Sequence, residues 1–397
     1  MNSSVVIQNS PAGIVYTDRG GSVLQLSRRR VAQLVAYCLQ YEFEAVSGQL
    51  MDTDLIEPND EPLLERSRRL YRLFRMLGST PNLAQRFAAA PQVRLTRNYE
   101  LFLPVFNHAF ELYTLACVPG WRERCKKAVC YINEYWPTQN LPDYLVDMLG
   151  QFDQVYVGMH QAAANLRERS SVPITYMPLA VDVQTFSPLP RPAARSIDVC
   201  NIGRRSDVTH QAFLSLARER RIHYHYDTAA ASGHNKAQRT FIVEDAAAHR
   251  MLLASTLRRS RYFIANRAQL GNAEYDHHLD EISGRFAEGA AAGTVMLGEA
   301  PRTDSFRQLF DWQDAVIHLP YDSADAAERL AELDADPARL DRARRQGLHN
   351  AALRHDHVHR LRTIYESVDL PMTEGMLARE ARLKLLAREA LDSPDPI

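Results

Sequence analysis

Short apolar runs alternate with longer stretches of helical period along this chain. ELFLPVF (100–106), KAVCYINE (127–134), QVYVGM (154–159) and ITYMPL (174–179) each have the length and the branched or aromatic content of a buried strand. LPDYLVDMLGQF and HQAAANLRERS, which separate the last three, space their apolar residues as amphipathic helices do. Such alternation predicts βαβ units and a parallel sheet. A proline-rich passage, SPLPRPAARS (187–196), breaks the pattern and predicts an extended crossing. The alternation then restarts with IDVCNIG (197–203), the helical THQAFLSLARER, the strand RIHYHY, a helix around 244–257 and the strand RYFIANR (261–267). AVIHLP and two further helical segments, ADAAERLAELD and PARLDRARRQGLHNAAL, complete a second half of the same kind.

The first 90 residues follow this rule less well. VVIQ and GIVYTD have strand character, whereas LSRRRVAQLVAYCLQYEFEAV and EPLLERSRRLYRLFRMLGS are helical, so the segment reads as a largely helical, strand-poor preamble. The end, TEGMLAREARLKLLAREALD, is an amphipathic helix. These readings divide the chain into an N-terminal Rossmann-like domain (1–188), a C-terminal Rossmann-like domain (189–370) and a final helical segment (371–397) that could return to the first domain. The fold class is α/β, with two doubly wound domains facing across a cleft, and ligands of such sheets bind beyond the carboxyl ends of the strands.

A chain of 397 residues, 46% hydrophobic, suffices for two cores. Its formal net charge of −1 gives no sign of steering towards nucleic acid or an anionic surface, so any anion site must be local. Cys38, Cys117, Cys125, Cys130 and Cys200 are scattered and none forms a CxxC pair, which predicts buried thiols in a reducing compartment. The start lacks the basic and apolar regions of a signal peptide, and no apolar run is long enough to span a bilayer. The expected location is cytoplasmic. The helices between Leu26 and Leu77 combine arginine with apolar residues, a pattern that suits peripheral membrane attachment but is expected first of helices packed on a core.

EISGRFAEGAAAGTVMLG (281–298) carries the densest chemistry. Ser283 and Gly284 suit the start of a helix, one as a cap and the other for close backbone approach. The unbonded N–H groups and the dipole there favour a phosphate, and Arg285 adds charge. Glu288 lies on the same face as Gly284 and Arg285 and is suited to accept from neutral hydroxyls such as those of a ribose. Glu281 precedes the helix, placed for hydroxyls beyond the phosphates. Small residues from Ala290 to Gly293 let the helix approach its sheet.

This stretch resembles the glutamate-x7-glutamate region of the group 1, family 4-like glycosyltransferases of the GT-B fold. Its SGRF-A-E core is closest to the spore-maturation-protein-like branch. The resemblance implies that Glu288 binds the donor ribose and that Glu281 approaches the transferred sugar, although strict x7 spacing lands on Asp280. YMPLAVDVQTFSP (176–188) resembles the segment that ends the family's first domain. IDVCNIGRR resembles the opening of its second, which implies phosphate contacts for Gly203 and Arg204 with Arg205 in reserve. The family's usual lysine after this opening has no counterpart here, and Arg267 or Arg285 is the substitute. Phe286 completes the donor set. The closing helices match as well, and the resemblance spans about 95–370.

What it implies is transfer of a sugar from a nucleotide-diphosphate donor, with retention and without a required metal or other cofactor, in glycan or glycoconjugate biosynthesis. The acceptor is a glycan, a lipid-linked, protein or small-molecule substrate; nucleic acid is not expected, and the oligomeric state is open. Asn107, His108, Glu134, Tyr135, Trp136 and His160 stand at carboxyl ends of predicted strands and form the expected acceptor wall, with His108 or Glu134 as the base should the reaction invert. Asp52–Asp54 and Asp334–Asp336 match a DxD pattern but read as surface turns or caps. The paired histidines His223 and His225, His277 and His278, and the cluster His355, His357 and His359 lack metal-ligand spacing. Two rival functions share the architecture: a sugar-nucleotide epimerase and a non-catalytic two-domain binding protein.

Overall fold

The computed structural model describes the chain except residues 1–5, 8–11, 81–82, 85–89, 137–140, 229–241, 273–278 and 394–396. The chain forms two compact units. The first comprises residues 1–178, 242–246 and 360–377; the second comprises 179–241, 247–359 and 378–397. The crossing thus falls at 178/179, ahead of the proline-rich passage, and the last segment is shared between the units from 378 onward.

The first unit is built on a nine-stranded sheet. Its strands are β1 (Val6–Ile7), β2 (Ile14–Asp18), β3 (Val23–Leu26), β4 (Thr53–Pro58), β5 (Tyr99–Phe102), β6 (Val105–His108), β7 (Cys125–Glu134), β8 (Gln154–Val157) and β9 (Ile174–Tyr176). They are ordered β1-β2-β4-β3-β5-β7-β8-β9, with β6 also on β7. Pairing from β4 through β3 to β9 is parallel, and β1 and β2 join antiparallel at the edge. The first 90 residues are therefore no strand-poor preamble: they supply β1 to β4. Polar residues hid these strands. Gln25 in β3 is buried and bonds Ser47 Oγ at 2.6 Å, and Asp54 in β4 is buried and accepts from the Tyr99 hydroxyl at 2.8 Å.

The second unit has a five-stranded, wholly parallel sheet in the order β11-β10-β12-β13-β14. These are β10 (Ile197–Asn201), β11 (Tyr224–Tyr226), β12 (Ser260–Ile264), β13 (Val295–Gly298) and β14 (Ile317–His318). Val199, Phe213, Tyr262, Leu297 and Leu330 form one core layer with their neighbours. Helix Gly284–Ala291 packs with helix Pro337–Arg354 and against β13. Gly289 makes that approach possible, since a Cβ there would come within 2.6 Å of Met296 Sδ on β13 and 3.0 Å of the Phe263 ring on β12. All five cysteines are free and buried, and burial pushes the Cys117, Cys125 and Cys200 thiols up to about 12, so they stay protonated.

Candidate active site

The second unit gathers the predicted donor residues at the carboxyl ends of β10 and β12. Leaving β10, the chain turns at Gly203 with φ of 78°, and the Gly203 N–H donates to the Asp227 carboxylate. A Cβ at Gly203 would collide with Arg285 Nη2, so the guanidinium rests on bare backbone. Two residues more than eighty positions apart in the chain thereby meet. Arg204 bonds Gln269 Oε1. Arg205 reaches the Asp227 carbonyl at 2.7 Å and lies 5.3 Å from the Tyr226 ring centre. Arg285 itself opens helix Gly284–Ala291 and lies 6.0 Å from the Phe263 ring centre.

Ser283 occupies the N-cap position, yet its hydroxyl donates to the Asn266 carbonyl at 2.7 Å and makes no cap bond. The expectation of a serine cap is corrected on that point: the hydroxyl ties the helix start to the end of β12. The helix's first N–H groups have no intrahelical acceptor, which is the geometry that suits an anion. Arg267 donates to the Leu279 carbonyl at 2.8 Å and stands 3.9 Å from Asp280, while Asp280 accepts from the Arg302 N–H at 2.8 Å. Glu281 is buried, and its carbonyl accepts from the Ala268 N–H at 2.9 Å.

Glu288 is buried and forms an ion pair with buried Arg250, whose guanidinium also sits 4.8 Å from the Phe186 ring centre. Arg250 was legible in principle: with Ala254 and Leu257 it occupies the buried stripe of its helix, where an arginine needs a partner. Phe286 is fully buried against Phe306 and Phe310 at 5.1 and 5.8 Å. It holds the helix in place, and an enclosed ring cannot meet a ligand, so its place in the donor set is corrected. His277 and His278 lie outside the described residues.

Beside Gly203 the sheet leaves a small open pocket, lined by Asn201, Arg205, Ser206, Thr209, Asn266 and Tyr321 among others. The sequence reading passed over it. Its one local signal is Tyr321-Asp322 directly after β14, where Thr209 donates to the Tyr321 carbonyl and Ser206 to Asp322.

In the first unit, β6, β7 and β8 bring the expected acceptor residues to one edge. His108 and Glu134 are register partners across β6 and β7, and His160 begins the helix after β8 with its ring 5.4 Å from Tyr176, edge-on. His108 Nδ1 accepts from the Phe110 N–H at 3.2 Å, which assigns the neutral ring's proton to Nε2. That tautomer makes His108 a donor. Asn107 is buried, with its N–H on Glu111 at 2.9 Å. Tyr135 and Trp136 are buried too, and the Tyr135 hydroxyl accepts from the Leu141 N–H at 3.2 Å. Burial pushes the Glu134 carboxyl up to about 7 against the pull of its bond to Trp136.

Asp54 corrects the reading of Asp52–Asp54 as a surface turn. It is fully buried, takes the Arg19 and Gly21 N–H groups at 2.8 and 3.0 Å, and pairs with Arg97. Asp336 does cap a helix, accepting from the Arg339 N–H at 2.9 Å. Among the described residues no cluster of three or more His, Cys, Asp or Glu is arranged to hold a metal ion.

Comparison with known proteins adds to this geometry. Residues 194–366 match a family described as glycosyl transferase-like. No curated protein matches the chain significantly in sequence. Among solved structures, an α-glucosyltransferase (AGT) in complex with UDP superposes with a TM-score of 0.50 at 9% identity, over 88% of this chain and 100% of its own. HepE of Anabaena, in complex with UDP-glucose, gives 0.47 at 9% identity over 88% and 99%. TarM gives 0.42 at 7% identity over 68% of this chain and only 54% of TarM. Residues 194–366 are glycosyl transferase-like, and the chain folds as two Rossmann-like α/β units of GT-B type.

Proposed function

We propose that the protein transfers a sugar from a nucleotide-diphosphate donor held by the second unit to an acceptor held by the first. The single observation that carries this reading is the packing of Arg285, at a helix start, on the bare backbone of Gly203. Diphosphate oxygens at that edge would meet the helix N–H groups, Arg285 and Arg204, and Arg267 would stand in for the missing lysine. Glu288, with one oxygen on Arg250, offers the other to the ribose hydroxyls. Glu281, or Asp280 at the strict spacing, faces the transferred sugar. The S-x-R-F-x-E pattern supports placing the chain nearest the spore-maturation-protein-like branch.

As the glycosidic bond breaks, positive charge develops on the sugar ring and negative charge on the leaving phosphate, which Arg285 and the helix start stabilise. The reaction retains configuration, the leaving phosphate taking the acceptor proton, and needs no metal. The product belongs to glycan or glycoconjugate biosynthesis, and the enzyme works in the cytoplasm. Inversion is the second reading, favoured by one observation: Glu134, titrating near neutrality, is matched to a general base. A UDP-sugar is the first donor to try, because the similar AGT structure holds UDP.

The test is a thermal-shift panel of UDP-, GDP- and ADP-sugars with wild type and Glu288→Gln. Stabilisation by one donor, lost in the variant, supports the site. No response from the wild type, or an equal response from the variant, removes it and advances the binding-protein reading. Gln is preferred to Ala because Glu288→Ala leaves Arg250 buried and unpaired, an effect of about 3–5 kcal/mol on stability alone.

A further inference from the structure

Three consecutive arginines, Arg28, Arg29 and Arg30, follow the carboxyl end of β3 in the first unit, on the sheet edge that also carries His108 and Glu134. Such a run would ordinarily mark an anion site. Here each arginine is already engaged by carboxylates. Arg28 is buried, donating from Nη2 to both oxygens of Glu61 at 2.9 and 3.1 Å and from Nη1 to Glu111 at 3.0 Å. Arg29 pairs with Glu44 at 2.9 Å and with Glu57 at 3.4 Å, and Arg30 pairs with Glu57 at 3.3 Å. Glu44, Glu57 and Glu111 are buried, whereas the Glu61 side chain is 40% exposed. These three positive charges meet four negative ones, so the run leaves no cation in excess.

The ion pairs reach the candidate acceptor residues directly. Glu111, held by Arg28, also accepts from the Asn107 N–H at 2.9 Å, next to His108, which is the register partner of Glu134. Arg28 Nε is buried and has no acceptor among the described residues, which leaves one N–H for an uncharged oxygen. We infer that the acceptor is an uncharged, hydroxyl-rich sugar and that this edge discriminates against phosphorylated and carboxylated acceptors. A hydroxyl both donates and accepts, so it suits an edge where carboxylates and N–H groups alternate. A phosphate or carboxylate would stand beside Glu61 and Glu111 with no unpaired arginine from the run to neutralise it, and like charges at close range oppose binding. A lipid phosphate is disfavoured for the same reason.

The inference rests on the proposal that the acceptor is held by the first unit, and it is independent of which donor the second unit takes. Saturation-transfer NMR on the full chain with UDP present compares methyl glucoside, galactoside and mannoside, each with its own 6-phosphate and uronate. At least one neutral glycoside is expected to bind about ten-fold or more tightly than its anionic partners. His108→Ala should remove that binding. Glu61→Gln deletes one negative charge at a partly exposed position and should narrow the gap by about five-fold, through tighter binding of the anionic partner. No binding of any neutral glycoside, an anionic partner bound equally well, a gap that Glu61→Gln leaves unchanged, or neutral binding that survives His108→Ala overturns the inference. The thermal-shift response to nucleotide sugars separates the failures: if it persists, only the acceptor class falls, and if it is absent too, the transfer reading falls with it.

Discussion

Gly203 and Arg285 make the sharpest claim at the residue scale. With φ of 78° and a guanidinium against its α-carbon, Gly203 has no room for a methyl group, and the neighbour that must give is the mobile end of Arg285. Gly203→Ala is therefore expected to cost only about 1–2 kcal/mol in stability, from the positive φ. The displaced guanidinium should lower nucleoside-diphosphate affinity by more than about ten-fold, the scale of a lost charge-assisted bond. Calorimetric titration beside a denaturant melt separates the two effects. Glu134 supplies a pH dependence. Its carboxyl titrates near 7 in the fold and near the ordinary glutamate value when unfolded, so the native state binds the extra proton. Stability should fall as pH rises from about 4.5 to 7 and level off above, by at most about 3 kcal/mol. Glu134→Gln should flatten that slope in melts taken across the range; an unchanged slope assigns it to other groups.

Helix Gly284–Ala291 shows what an element contributes and what its sequence disclosed. The start at Gly284, the arginine in the first turn and the buried small-residue run were all legible, because capping chemistry and small side chains are local signals. Gly289 was overlooked, although its missing Cβ is what admits Met296 and Phe263. Gly289→Ala should overpack this layer and cost about 1–3 kcal/mol, measured by equilibrium unfolding; unchanged stability would mean that Met296 swings aside freely. The partnership of Glu288 with Arg250 was invisible for another reason. They lie 38 residues apart in the chain on separate helices, with β12 between them in sequence, and only the fold brings them together. Strands β3 and β4 were missed because Gln25, Asp54 and Glu57 are buried polar residues in a pattern that apolar alternation alone would detect.

At the scale of the whole molecule, the two-sheet architecture was readable from strand-helix alternation, and the allotment of the last segment was not. Residues 360–377 serve the first unit, where Thr373 Oγ1 donates to the Leu50 carbonyl at 2.6 Å, whereas 378–397 serve the second. In the second unit Arg379 clamps Asp356 through two bonds of 2.7 Å and reaches Asp182 at 2.6 Å. Burial acts to raise the Asp356 carboxyl, but the Arg379 bonds outweigh it and hold it below the usual range. Arg379→Met should leave Asp356 buried without its partner, lowering stability at neutral pH by about 3–5 kcal/mol. The deficit should shrink as pH falls and wild type loses the same ion pair. A pH series of melts on the two proteins checks both the size and the sign.

The start of helix Gly284–Ala291 is the proposed diphosphate site. Calorimetric titration of wild type and Arg285→Ala with UDP, GDP and ADP, and with the matching nucleosides, tests it most directly. Wild type should bind one diphosphate far more tightly than its nucleoside, and the variant should lose most of that difference while keeping the wild-type fold by circular dichroism. Diphosphate binding that Arg285→Ala leaves unchanged, or no preference over the nucleoside in wild type, would contradict it.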